Sequence, residues 1–450
     1  MSRVREAEQQ VERTVMDTLV AWKSEPKRKP LLLFGARQVG KTWLLRELGR
    51  SHYDRTVYVS LDQSATARNV FDADLDVGRI VADLAVVAGG GPIDPDSTLI
   101  VLDEVQEAPR ALTALKYFAE TAPQYHVACA GSLLGVAAHP GTSFPVGKVD
   151  MVDVRPMTFD EFLRAMGEAA LADLISADEL DRLSTFHEKL VSSLRWYLYV
   201  GGMPEVVAQF APDRAPDDAR KVQQEILTAY DRDFSKHAPL EEVPRLRALF
   251  ASVPAQLARE NRRFVYGHAS PGARAKTMEL ALQWLVDAGL VHRVPRVSAA
   301  RLPLAAYADG AFKLYLADTG LVGAMAGLDA RTLVSGHQAF TEFKGSLTEQ
   351  YALQELVAAG LAPSYWARTS GAEVDFVVQH AATIVPVEVK AETNLQAKSL
   401  RVFRDTYTPE VSVRTSLRPF RDEGWLVNLP LYALSALPRL IARRNPAHET

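Results

Sequence analysis

Gly35-Ala36-Arg37-Gln38-Val39-Gly40-Lys41-Thr42 has the residue types and spacing to hold a chain of phosphates. It reads G-x-x-x-x-G-K-[ST], the P-loop pattern, and each position has a physical task. The glycines let the backbone curl so that its N–H groups face phosphate oxygens. Lys41 reaches the β- and γ-phosphates, and the Thr42 hydroxyl is a ligand for Mg²⁺. Asp103 and Glu104 are a second element, and an acidic one. A carboxylate at Asp103 suits the Mg²⁺ shared with Thr42, and Glu104 is placed to polarise an attacking water. The bland alternative is that Asp103 caps a turn, a role acidic side chains favour. A third group lies far along the chain: Glu349, Asp375, Glu388 and Lys390, with the spacing D-x(n)-E-x-K.

The elements that must carry these side chains are readable around them. The run Pro30–Phe34 before the loop is apolar and Trp43–Leu48 after it is helical in pattern, giving strand, loop and helix. The helix N-terminus adds a partial positive charge at the phosphates. Thr98–Leu102 is a continuous apolar run ending in Asp103, as a buried parallel strand should be. Further strands are expected at Arg55–Asp62 and Tyr125–Ala130, and helices over residues 1–28 and near Asp74–Val87. Right-handed crossovers then give a parallel sheet flanked by helices on both faces.

At 450 residues the chain holds two or three domains, and 48% apolar residues suffice for several cores. A formal charge of −4 gives no global bias toward nucleic acid, so such binding must come from local patches. The single cysteine, Cys129, excludes an intrachain disulfide framework and sits in an apolar strand. No basic segment followed by an apolar one opens the chain, and no apolar run approaches a membrane span. The expected location is the cytoplasm, with no membrane partner.

Downstream, Leu171–Tyr199 has helical leucine spacing, and Gly201-Gly202-Met203-Pro204 reads as a rigid turn. Two short helices at Pro244–Phe250 and Val253–Arg259 and a longer one at Ser270–Gly289 precede a strand at Leu290–Val294. In the longer helix Met278, Leu280, Leu282, Leu285 and Val286 are expected mostly inward. Helices followed by a hairpin over Pro303–Leu316 read as a winged helix. Arg259, Arg262, Arg263, Arg274 and Lys276 are then candidates for DNA phosphates. The open alternative is a rigid spacer whose cations are merely solvated.

The stretches Gly35–Thr42, Leu102–Gln106, Ala130–Ser132, Ser143–Val149 and Arg155–Phe162 resemble AAA-like P-loop ATP-binding proteins of bacteria and archaea. Gly201–Glu205 resembles the glycine–proline motif of signal-transduction-type P-loop ATPases. The resemblance implies an ATPase that uses ATP and Mg²⁺, a helical lid, and a C-terminal domain of unknown function. It also implies that Ser132 senses the γ-phosphate, and that a homo-oligomer supplies a cation across subunits, with Arg155 and Lys148 as candidates.

From about Ser335 the order is helix, strand, strand, strand, with Glu349 on the helix, Asp375 on one strand, and Glu388 and Lys390 on the next. Residues two apart on a strand share a face, so Glu388 and Lys390 point together. This order resembles the PD-(D/E)XK nuclease superfamily, which implies a second divalent cation held by Asp375 and Glu388, assisted by Glu349 and Lys390. A buried salt bridge is the alternative.

The fold expected is α/β: a P-loop ATPase parallel sheet with helical lid, winged-helix segment and C-terminal α/β nuclease-like domain. The boundaries are 1–165 for the ATPase core, 166–238 for the lid, 239–334 for the winged helix and 335–450 for the nuclease-like domain. The leading function is an ATP-hydrolysing protein acting on or regulated by nucleic acid. Its rival is a nucleotide-gated switch whose tail binds a partner and cuts nothing. A small-molecule kinase fits the P-loop but leaves the large C-terminal additions without a role.

Overall fold

The computed structural model describes residues 12–131, 145, 147–259, 262–331, 341–368, 371–391 and 397–444. They gather into two compact units. One takes Glu12–Arg155 together with the turn Asp287–Leu290; the other takes Pro156–Val286 and the described residues from Val291 onward.

In the first unit β1 (Leu31–Phe34), β2 (Arg55–Ser60), β3 (Thr98–Asp103), β4 (His126–Ala130) and β5 (Asp150–Asp153) form one parallel sheet. Their order is β2-β3-β4-β1-β5. β3 and β4 are buried throughout, which is why both read as unbroken apolar runs. Leu32, Val57, Ile100, Leu102 and Cys129 pack with the helices Val77–Val87 and Pro109–Thr121 in one core. β5 is an edge strand of alternating exposure, Asp150-Met151-Val152-Asp153, and carries no apolar run. It pairs with β1 from Leu31↔Asp150 to Phe34↔Asp153. The registers Leu33↔Ala130 and Asp103↔Ala130 bring the C-terminal ends of β1, β3 and β4 level. Loops leaving those three strands therefore open along the same edge, where ligands of open parallel sheets bind.

The second unit begins with helices, among them Phe159–Ala165, His187–Val200, Pro216–His237 and Val243–Leu257. Its sheet contains β6 (Val291–Val297), β7 (Ala308–Leu316), β8 (Ser364–Ala367), β9 (Glu373–His380), β10 (Thr383–Val389), β11 (Ser412–Ser416), β12 (Arg421–Asp422) and β13 (Leu426–Pro430). The order is β12-β13-β11-β10-β9-β8-β6-β7. β6 and β7 form an antiparallel hairpin, and β6 also pairs in parallel with β8 through Arg296↔Tyr365 and Val297↔Trp366. One mixed sheet thus runs across position 334, where the sequence reading places a boundary. The helix Lys398–Tyr407 covers it with Leu400 and Phe403, whose ring lies edge-on to Trp366 at 5.3 Å.

Two local expectations are corrected. Val243–Leu257 is one helix rather than two, although Pro254 lies inside it. Proline removes one donor, but Leu246, Leu249, Val253 and Leu257 are buried along the helix and hold it through that defect. Ala258 N–H already bonds to the Pro254 carbonyl. In the helix Ala275–Asp287, Met278, Leu282 and Leu285 are buried, whereas Leu280 is 67% exposed. Helical periodicity turns position 280 away from the face shared by the other three.

Among the described residues, no helix is long and apolar enough to cross a membrane.

Candidate functional site

The loop after β1 is shaped by close backbone approach. Gly35 has φ +127°, and a Cβ there would sit 2.1 Å from the Val154 carbonyl oxygen. Only glycine fits where the chain leaving β5 presses on the loop. Arg13, buried just before the helix Val15–Ser24, donates to the carbonyls of Val39 (3.0 Å) and Arg155 (2.6 Å), fixing the loop's outer turn. The helix Lys41–His52 then starts at the loop's end.

Lys41 is buried, and its ammonium donates to the loop carbonyls of Gly35 (2.8 Å) and Ala36 (2.7 Å). Burial pushes its pKa down to about 8, against the opposing pull of Glu104 and Asp103. The Thr42 hydroxyl donates to Asp103 Oδ2 at 2.9 Å, and the Tyr58 hydroxyl donates to the same oxygen at 2.6 Å. The other carboxylate oxygen, Oδ1, accepts from Glu104 N–H at 3.1 Å. Glu104 itself lies in the left-handed region, φ 51° and ψ 49°. Such a conformation costs a non-glycine residue about 1–3 kcal/mol and clusters at working sites. Gln106 Nε2 donates to Glu104 Oε2 at 2.5 Å and aims the carboxylate.

Tyr58 and Arg13 were invisible as site residues in the sequence, because neither belongs to a motif, and Gln106 closes the stretch Leu102–Gln106 without having been given a role there. The signal for Tyr58 was alternation alone, since it sits on β2 two positions before Ser60. Ser132 lies outside the described residues. Arg155 is paired with Asp153 at 2.7 Å, and Lys148 with Glu120 at 2.9 Å. A hydroxyl and a carboxylate in contact, beside a buried ammonium, form the hard-oxygen donor set that a divalent cation and phosphates require. The residues present fit ATP with Mg²⁺.

In the second unit the candidate residues are only partly gathered. Asp375 Oδ2 accepts from Val389 N–H at 2.8 Å. Glu388 is buried, and burial raises its carboxyl pKa, with Asp375 adding to the rise and Lys390 opposing it. Lys390 Nζ lies 2.5 Å from Glu388 Oε1. Glu349 has other partners. Its carboxylate accepts from Lys313 Nζ at 2.9 Å and from the Tyr315 hydroxyl, and pairs with Arg262. Lys313 is wholly buried and also pairs with Glu373 at 2.7 Å. Among the described residues, no group of three carboxylate, histidine or cysteine side chains is arranged to hold a metal ion. The set of Asp375, Glu388 and Glu349 around one cation does not form.

The Gly201–Pro204 turn is held by buried polar groups of the second unit. Gly202 N–H donates to Asp318 Oδ2 at 2.6 Å, and its carbonyl accepts from Met157 N–H at 2.6 Å. Burial pushes the Asp318 carboxyl up to about 6, opposed by the N–H groups of Gly202 and Leu321. Gln354 Nε2 donates to the Tyr197 hydroxyl at 2.8 Å, and that hydroxyl donates to the Met157 carbonyl.

A phosphate loop after β1, an acidic pair at the C-terminal end of β3 and the order β2-β3-β4-β1-β5 define an AAA-like P-loop ATPase domain. Residues 27–163 match the family model described as "AAA domain". Residues 191–332 match "Domain of unknown function (DUF8612)", and residues 344–433 match "Domain of unknown function (DUF4143)". No curated protein matches the chain. Among solved structures it is similar to the Walker-type ATPase PABY2304 of Pyrococcus abyssi, at 14% identity and TM-score 0.45, over 70% of this chain and 96% of that one. It is also similar to Cdc6p of Pyrobaculum aerophilum at 15% identity and TM-score 0.27, over 74% of this chain and 94% of that one. The Orc1 protein of Aeropyrum pernix, solved in complex with DNA, is similar at 14% identity and TM-score 0.25, over 74% and 93%.

Proposed function

We propose that the chain binds ATP at Gly35–Thr42 and hydrolyses it, and that the second unit makes this activity responsive to nucleic acid. The observation that carries the first part is the Thr42–Asp103 hydrogen bond at 2.9 Å, with the Lys41 ammonium buried in the same loop. Thr42 and Asp103 would hold Mg²⁺, which would supply positive charge to neutralise the negative charge developing on the phosphates. Lys41 exchanges its two loop carbonyls for phosphate oxygens. Glu104 takes the proton of the attacking water at its carboxylate, and Gln106 holds that group in place. Ser132 is the proposed sensor of the γ-phosphate, and Arg155 or Lys148 the proposed contribution to a neighbouring subunit. Steady-state hydrolysis and nucleotide binding test this together. Lys41→Ala should lose most phosphate affinity, whereas Glu104→Gln should keep binding and slow hydrolysis by about 10²–10⁴-fold. Nucleotide binding unchanged in a folded Lys41→Ala protein would end the assignment.

The nucleic-acid part rests on helices followed by the β6–β7 hairpin, in winged-helix order, with Arg259, Arg263, Arg274 and Lys276 exposed nearby. Stimulation of hydrolysis by added DNA tests it, and rates unmoved by single strands and duplexes would remove it.

A second reading is favoured at the tail by the Glu349 contacts. With Lys313 and Arg262 on its carboxylate, that residue already has its counter-charge. The tail is then a partner-binding domain of nuclease-like strand order that does not cut. Incubation of the full chain with DNA and Mg²⁺ or Mn²⁺ should give no cleavage; cleavage abolished by Asp375→Ala would reinstate the nuclease.

A further inference from the structure

A cavity of about 780 Å³ opens in the second unit between the end of the helix Val243–Leu257, the start of the helix Ala275–Asp287 and the strand β7. Arg259, Arg263, Arg274 and His268 line it, with Tyr266 and Phe312 among the apolar walls. Among the described residues none of the lining side chains is acidic. All four basic residues are exposed. The Arg259 guanidinium donates to His268 Nε2 at 2.9 Å, which aligns two of them. The aromatic walls are rigid: Phe264 and Phe312 stack at 5.3 Å, and Tyr266 meets Phe312 edge-on at 6.1 Å. In a chain of net charge −4, three guanidinium groups gathered at one concavity are a local reversal of sign.

Charge complementarity selects a polyanion as occupant, and the shape selects which kind. A duplex would be read by a convex helix surface inserted into its groove. The exposed positions of the helix Ala275–Asp287 supply little for that: Ala275, Lys276, Thr277, Leu280, Gln283 and Asp287, a single cation among them. Glu279 on the same helix is bound to Arg293 and Tyr266. The cations lie at the hollow and not along the helix. Arg262, which the sequence groups with them, is spent on Glu349. A hollow of several hundred Å³ with aromatic walls and cationic rims suits a base with its flanking phosphates.

We infer that this cavity binds single-stranded nucleic acid, taking one nucleotide into the hollow with Arg259, Arg263 and Arg274 on the adjoining phosphates. The inference rests on the nucleic-acid reading above and adds the strandedness and the place. The test uses the full chain and a fluorescein-labelled oligo-dT of about 16 nucleotides, beside a duplex of the same length, read by anisotropy over a salt series. Binding should favour the strand. The double variant Arg263→Ala/Arg274→Ala should weaken it at least tenfold and reduce the salt slope by about 0.7 for each phosphate no longer neutralised. Gly267→Trp supplies a second arm, because a Cβ at Gly267 meets nothing within 4 Å. It adds an indole at a residue lining the hollow and leaves every charge in place, so a loss of at least tenfold marks insertion of a base. Thermal melting, and ATP hydrolysis in the absence of nucleic acid, should stay at parent values in both variants. Strong binding by the parent that neither variant weakens overturns the cavity and leaves the nucleic-acid reading standing. A preference for duplex overturns the single-strand assignment. Failure of the parent to bind strand or duplex, with and without ATP and Mg²⁺, overturns both.

Discussion

ATP binding should drive proton uptake above pH 8, because of Lys41. Its ammonium is buried against two carbonyls of the loop, and burial lowers its pKa from an ordinary 10.5 to about 8. That fall corresponds to about 3 kcal/mol of lost solvation, at 1.4 kcal/mol per pH unit. In the folded chain without nucleotide the cost is fully present below pH 8 and is relieved as pH rises from about 8 to 10.5. The triphosphate acts in the opposite direction, since it favours the charged form and restores the ordinary value. Binding at pH 9 should therefore take up about nine tenths of a proton, against about a quarter at pH 7.5. Affinity should fall toward tenfold per pH unit above pH 8. Calorimetry in two buffers of different ionisation enthalpy reads the proton count directly. Uptake near zero at pH 9, with binding intact, would refute the assignment of Lys41 as the phosphate-contacting group of depressed pKa.

Gly202→Ala should destabilise the chain by about 3 kcal/mol through overpacking. The new Cβ would stand 2.1 Å from the Met157 carbonyl oxygen and 2.8 Å from its nitrogen, both backbone atoms that cannot swing aside; a melting temperature unmoved from the parent would contradict this. Lys313→Met leaves Glu349 and Glu373 without their shared ammonium and should cost about 3–5 kcal/mol, as for other broken buried pairs. Urea unfolding should also show part of that loss recovered when Glu349→Gln is added, and no recovery would mean that the two side chains act independently.

What the sequence revealed follows from how local each feature is. The phosphate loop and the Asp103–Glu104 pair were legible because each is a short run whose neighbours are its strand and helix. The parallel sheet was legible through its buried apolar strands. β5 was not, because an edge strand with aspartates at both ends carries no hydrophobic run. The expected division between Phe250 and Val253 is absent, because the packing of Val253 and Leu257 keeps Val243–Leu257 whole around Pro254. The tail was hardest to read. The spacing of Asp375, Glu388 and Lys390 was visible, but Lys313 reaches Glu349 from 36 residues upstream and Arg262 from further still. Pairings at that separation depend on sheet order, which no periodicity encodes.

The parallel pairing of β6 with β8 has a consequence for handling the protein. A chain ended between the hairpin and β8 would leave β6 with an open row of backbone donors and acceptors at Arg296 and Val297, next to apolar Val294. Unpaired edges of that kind seek strands from other molecules. Fragments divided there are expected to aggregate, and proteolytic nicking at that position to leave two pieces that stay associated.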